Sequence, residues 1–305
     1  AYARAAGAEA EDARRIRGWS AEARVGAAEL LLTPGVDRFA EALEAVADFE
    51  TRHDSSDVIG RVLAVRIRAY RGLRRFDEAV QILDRYLQAV PVERAGALLS
   101  SLARGIQEEV SRLEEAGRET AARKLAAESV ETFAQLEQWL RRDPGRAADV
   151  AAVQYGRAEM LRAAGRLAEA RQLAEELLRQ SPQNGNYRRL LAQTLTAALP
   201  EKPAREELLA AQDAWGRLLA DPNLRRHAPP RYWEARYHWL ALLLRLGEAA
   251  QVDRAITQEE VWFPDLGGPP WRDRLLALRE QARALSGRPT SVSASSAPAD
   301  EDSGN

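Results

Sequence analysis

Two stretches of this chain follow one grammar. Phe76-Asp77-Glu78-Ala79 opens an apolar run that stops at Pro91, and Leu167-Ala168-Glu169-Ala170 opens another that stops at Pro182. A small apolar helix and a tight turn precede each of them. An earlier half-copy, Phe39-Ala40-Glu41-Ala42, has the same opening and lacks the proline. Repetition of helix, turn, helix and stop means stacked helical hairpins. None of these can bury its apolar face alone, so neighbours build one continuous core. The expected fold is all-α: an α-α superhelix, or solenoid, of roughly six hairpins closed by a C-terminal capping helix.

Composition agrees with long amphipathic helices. The 305 residues are 46% hydrophobic and 30% charged, and the chain is crowded with Ala, Leu, Arg and Glu, the strong helix formers. Length alone predicts about two globular domains. A repeat array escapes that count, and the reading is one solenoid over residues 1–286 followed by a tail. Lys124 and Lys202 are the only lysines among 44 Lys and Arg, a bias that fits a GC-rich genome better than phosphate recognition.

The formal charge is -2, and the run after Arg288 contributes Asp300, Glu301 and Asp302, so the body is close to neutral. Nonspecific nucleic-acid binding relies on a basic footprint, which is missing. With no cysteine there is no disulfide framework, thiolate metal site or cysteine nucleophile. No apolar run reaches the roughly 18 residues that a membrane span needs. The chain opens Ala1-Tyr2-Ala3 without Met and reads as a fragment or processed product, so its compartment is left unassigned.

Punctuation places the hairpins. Residues 4–32 end at Thr33-Pro34-Gly35, and residues 36–52 form the partner helix with Phe39, Leu43, Val46 and Phe49 on one stripe. His53-Asp54-Ser55-Ser56-Asp57 reads as a capping turn rather than a metal site. The second hairpin runs from Val58 to Tyr70, turns at Arg71-Gly72-Leu73-Arg74-Arg75 and continues from Phe76 to Val90. The third spans 92–142 with its turn at Ala116-Gly117-Arg118, and the fourth spans 147–180 with its turn at Gly165-Arg166. A fifth pairs 186–199 with 204–220, and a sixth starts after Pro229-Pro230, turns at Gly247-Glu248 and ends at Phe263-Pro264. Residues 270–285 form the cap, and residues 287–305 read as a disordered tail.

These residues resemble the tetratricopeptide repeat, a helix-turn-helix unit of roughly 34 residues with fixed small, large and proline places. Tyr70, Ala79 and Leu83 occupy such places ahead of Pro91. Ala158, Leu161, Gly165 and Ala170 do so ahead of Pro182, and Leu240, Leu243 and Gly247 ahead of Pro264. The intervals between Pro91, Pro144, Pro182, Pro222 and Pro264 all exceed the repeat length, so the repeats are irregular.

The resemblance implies a protein that binds other polypeptides through a concave groove lined by the first helix of each hairpin. Carried over residue by residue, the groove positions are Arg61, Ala64, Arg68 and Arg71 in the second hairpin. In the fourth they are Ala152, Tyr155, Glu159 and Arg162, and in the fifth Asn186, Arg189, Gln193 and Thr196. Converging arginine forks would suit carboxylates. The bland alternative is that these arginines are solvated or paired with nearby Glu. The family's chaperone-tail clamp needs groove Lys and Asn, and Asn186 alone fits.

A second cluster, Arg231, Tyr232, Trp233, Arg236 and Tyr237, interleaves basic and aromatic residues. It reads either as a small-ligand or single-stranded nucleic-acid patch on a repeat sensor or as packing between hairpins. Catalysis finds no motif: the three His are scattered, and His-Glu-x-x-His, Gly-x-Ser-x-Gly and phosphate-loop patterns are missing. Glu234 and His238 share a helix face without an evident third metal ligand. Glu108-Glu109 and Glu114-Glu115 read as solvated helix faces. The expectation is therefore a noncatalytic interaction scaffold with no cofactor and with polypeptide partners.

Overall fold

A computed structural model describes residues 18–52, 56–142 and 144–287. They are helical throughout, with no strand among them. The capping turn at 53–57 and the tail from 288 onward lie outside the described residues or side chains. The chain divides into two compact units, Ala1–Ala198 and Leu199–Asn305. The two helices expected to form the fifth hairpin thus belong to different units.

In the first unit the helices run α1 (18–31), α2 (Phe39–Ala45), α3 (Phe49–Arg52), α4 (Ser56–Gly72), α5 (Phe76–Gln81), α6 (Leu83–Ala89), α7 (Val92–Glu115), α8 (Glu119–Leu140), α9 (Ala147–Ala163), α10 (Leu167–Gln180) and α11 (Gly185–Ala197). Helix α4 packs on α2, α5, α6 and α7, and from α7 to α11 consecutive helices pack on one another. The apolar spacing explains how. On α7, Ala95, Leu98, Leu99, Leu102, Ile106, Val110 and Leu113 recur every three or four residues and are buried. They meet Leu125, Val130, Phe133, Leu136 and Leu140 of α8 in one core. Met160 lies in that core, as a filler residue should.

Three hairpins turn in the same way. The second residue after the first helix is left-handed, Gly117 at φ 69°, Gly165 at φ 83° and Gly247 at φ 92°. The next N–H then donates five residues back, Arg118 to the Leu113 carbonyl and Arg166 to that of Leu161 at 2.8 Å each, and Glu248 to that of Leu243 at 3.2 Å. In the second hairpin Arg74 takes this position at φ 58°, with the same bond from Arg75 to Tyr70 at 2.8 Å. Gly72, within the expected Arg71-Gly72-Leu73-Arg74-Arg75 turn, is still helical. It is small for a different reason, because a Cβ there would overlap the Phe39 ring.

Two helices expected to be continuous are broken. Residues 76–90 split at Ile82 into α5 and α6, where β-branched Val80 and Ile82 lower helix propensity. Residues 36–52 split into α2 and α3 at the turn over 46–48, where Arg66, from α4, donates to the carbonyls of Val46 at 2.8 Å and Ala47 at 3.3 Å.

The second unit holds α12 (Arg205–Leu219), α13 (Leu224–His227), α14 (Pro229–Arg245), α15 (Ala249–Trp262) and α16 (Trp271–Ser286). Helix α16 packs on α14 and α15, the place of the expected cap. Trp233 is buried and edge-on to Phe263, with Gly267 against its ring. Gly267 has φ 85°, and a Cβ there would overlap the indole. Gly267→Ala combines a left-handed conformation with a clash, and an expected loss on the order of 1–3 kcal/mol should appear in chemical unfolding.

Candidate functional site

The first helices of the first unit, α1, α4, α7, α9 and α11, are joined by a succession of polar and aromatic contacts. Arg61 of α4 reaches back to α1 and donates to both oxygens of Glu29 at 3.1 and 2.7 Å, and to Glu22. The Glu29 bond leads in raising the Arg61 pKa still further. Arg71, at the other end of α4, reaches forward to the Ser101 hydroxyl of α7. Gln107 of α7 donates to Glu159 of α9 at 2.7 Å, and Arg162 of α9 donates to Glu114 of α7 at 3.0 Å. Tyr155 donates to Glu159 at 2.6 Å and tilts against Tyr187 of α11, with centroids 5.8 Å apart.

These contacts show what became of the predicted groove residues. Arg61, Arg68 and Arg71 share α4, but Arg61 and Arg71 turn to opposite neighbours instead of converging. Glu159 and Arg162 are tied to α7. Arg68 is exposed and makes no hydrogen bond or ion pair among the described residues. Asn186 is exposed at the start of α11, while Arg189 and Gln193 are half-buried there and engaged.

Two glutamates expected on a solvated face are structural instead. Glu109 is buried and accepts from Arg74 at 2.7 Å and from Arg112 at 3.1 Å. Arg112 first, then Arg74, holds its carboxyl below the usual value against the cost of burial. Glu114 receives Arg162. Buried charge survives where guanidinium forks satisfy it, and the partner residues here lie on other turns or helices.

Sequence reasoning missed a concavity of about 350 Å³ between α4 and α7, lined by Arg71, Arg74, Phe76, Ser101, Arg104 and Glu108, with Gly105. Arg104 is exposed and has no ion pair among the described residues. Ser101, Arg104 and Glu108 recur at three- and four-residue steps, a stripe that continues the α4 face onto α7. That periodicity was the available signal, hidden because the third hairpin is too long to align with the repeat.

In the second unit the basic and aromatic cluster is mostly packed. Tyr232 and Trp233 meet edge to face at 5.2 Å, and Arg225 lies over the Phe263 ring at 4.2 Å. Arg236 sits 2.8 Å from Glu259 and over Trp239, and Tyr237 leans on His238 and Trp271. Arg231 alone of the five is exposed. Base stacking requires a free ring face, and Trp233 is only 5% exposed. The His238 ring lies flat on Trp215, with centroids 4.8 Å apart.

Among the described residues no helix is long and apolar enough to cross a membrane, and no group of three His, Asp or Glu could hold a metal ion. No curated protein matches the sequence. A family model, the tetratricopeptide repeat, matches residues 151–194, which cover most of α9, all of α10 and most of α11. That match falls on the hairpin with the Gly165 turn, and it makes residues 151–194 similar to the tetratricopeptide repeat, in general a protein-interaction module.

Proposed function

We propose that the chain is a noncatalytic interaction scaffold whose first-helix face, in the first unit, holds an extended polypeptide segment. One observation carries this reading. After the first helices have linked to one another, Arg68, Arg104 and Asn186 are still exposed on α4, α7 and α11. Those are hydrogen-bonding side chains on three of the first helices, distinct from the residues that tie those helices together. Extended segments bind such faces through side-chain and main-chain hydrogen bonds spread along their length.

The test is a random dodecapeptide display library panned against the purified chain. Synthetic versions of the selected peptides should bind Arg68→Trp and Asn186→Trp about tenfold or more weakly, because an indole on either helix obstructs the face. Peptides that bind both variants as well as the native chain would move the site off this face.

A further inference from the structure

We infer that the concavity between α4 and α7 is a dock for acidic side chains, so that the polypeptide taken by this face is one carrying Asp or Glu. The inference rests on the scaffold reading and names the chemistry of its partner. Other arginines near this face have a carboxylate of their own: Arg61 has Glu29 and Glu22, and Arg162 has Glu114. The concavity is different. Arg71 is held by a neutral hydroxyl, Ser101, which orients its guanidinium without neutralising it. Arg104 has no ion pair among the described residues, and Arg74 must share the single carboxylate of Glu109 with Arg112.

Charge makes the same point. Arg71, Arg74 and Arg104 line the concavity against Glu108, with Glu109 shared between Arg74 and Arg112, on a chain whose net charge is -2. A local cationic excess on a slightly acidic protein steers anionic segments. A volume of about 350 Å³ admits one or two side chains, and Phe76 in its lining offers apolar contact to the methylene groups of Glu. Guanidinium forks accept carboxylates two bonds at a time, and Arg71, already fixed by Ser101, loses less freedom in doing so. Glu108 on the rim opposes an acidic ligand.

The same library, panned in parallel on the native chain and on Arg71→Glu with Arg104→Glu, tests this. Both side chains are exposed, and circular dichroism checks that the variant keeps its helices. Native selections should be enriched in Asp and Glu. The charge-reversed protein should lose that preference and select Lys and Arg. A synthetic acidic binder should weaken about tenfold or more on the reversed protein, weaken as salt rises, and strengthen several-fold on Glu108→Gln, a gain that a purely structural role would not give. Native binders without acidic bias, or acidic binders indifferent to the reversal, would overturn the dock and leave the scaffold standing. Selection of no peptide at all by the native chain would overturn both.

Discussion

Trp215→Ala should destabilise the second unit by about 3–5 kcal/mol, seen as an earlier loss of helical signal in urea and as faster amide exchange over α12. Trp215 has no exposed surface, and its ring lies nearly parallel to His238 of α14, with an interplanar angle of 11°. Helix α12 packs chiefly on α14, through Leu208, Ala211, Trp215 and Leu218 on its buried face. Removing the indole deletes the largest of these side chains and leaves a cavity against His238. Trp215→Phe keeps an aromatic face for His238 and should cost roughly half as much.

Glu137→Ala is expected to destabilise the first unit by about 1–3 kcal/mol. The Glu137 carboxylate, on α8, is nearly buried and is the meeting point of two helices. It accepts from Arg141 at 2.7 Å, from Gln154 of α9 at 2.8 Å and from Arg157 of α9 at 3.2 Å. Truncation would strand the Gln154 amide, itself 2% exposed, and leave two guanidiniums without their shared anion. Glu137→Gln keeps the shape and one acceptor and should cost less.

Burial alone would raise the Glu137 pKa. The bonds from Arg141, Gln154 and Arg157 outweigh it, and the carboxyl titrates below its ordinary 4.5. A carboxyl with a lowered folded-state pKa stabilises the fold above its unfolded value and loses that contribution as pH falls through the folded one. The stability of the native chain should therefore drop as pH goes below 4.5, and Glu137→Gln should flatten that slope in denaturant titrations at a series of pH values.

The hairpin plan was legible because it is written locally. The Gly117, Gly165 and Gly247 turns follow from glycine after an apolar helix, and their flanking helices begin and end close to where punctuation placed them. The side-chain pairing was not legible. Arg61 finds Glu29 and Arg162 finds Glu114 on helices two or three elements away, and which Glu meets which Arg depends on the rotation and offset of packed helices. The sequence shows many candidates of each sign and nothing that ranks them. The same holds for Arg104, invisible until α7 is laid beside α4, and for the packed aromatic cluster around Trp233, whose Phe263 and Gly267 neighbours come from the end of α15 and the loop beyond it.

Arg66 holds the end of a helix that precedes it in the chain, through the carbonyls of Val46 and Ala47. Phe39, Leu43, Val46 and Phe49 keep a helical spacing across the bend between α2 and α3, and the side chain that clasps that bend belongs to the next hairpin. During synthesis those carbonyls leave the ribosome before the guanidinium that holds them, so the first hairpin carries acceptors whose donor is supplied by its successor.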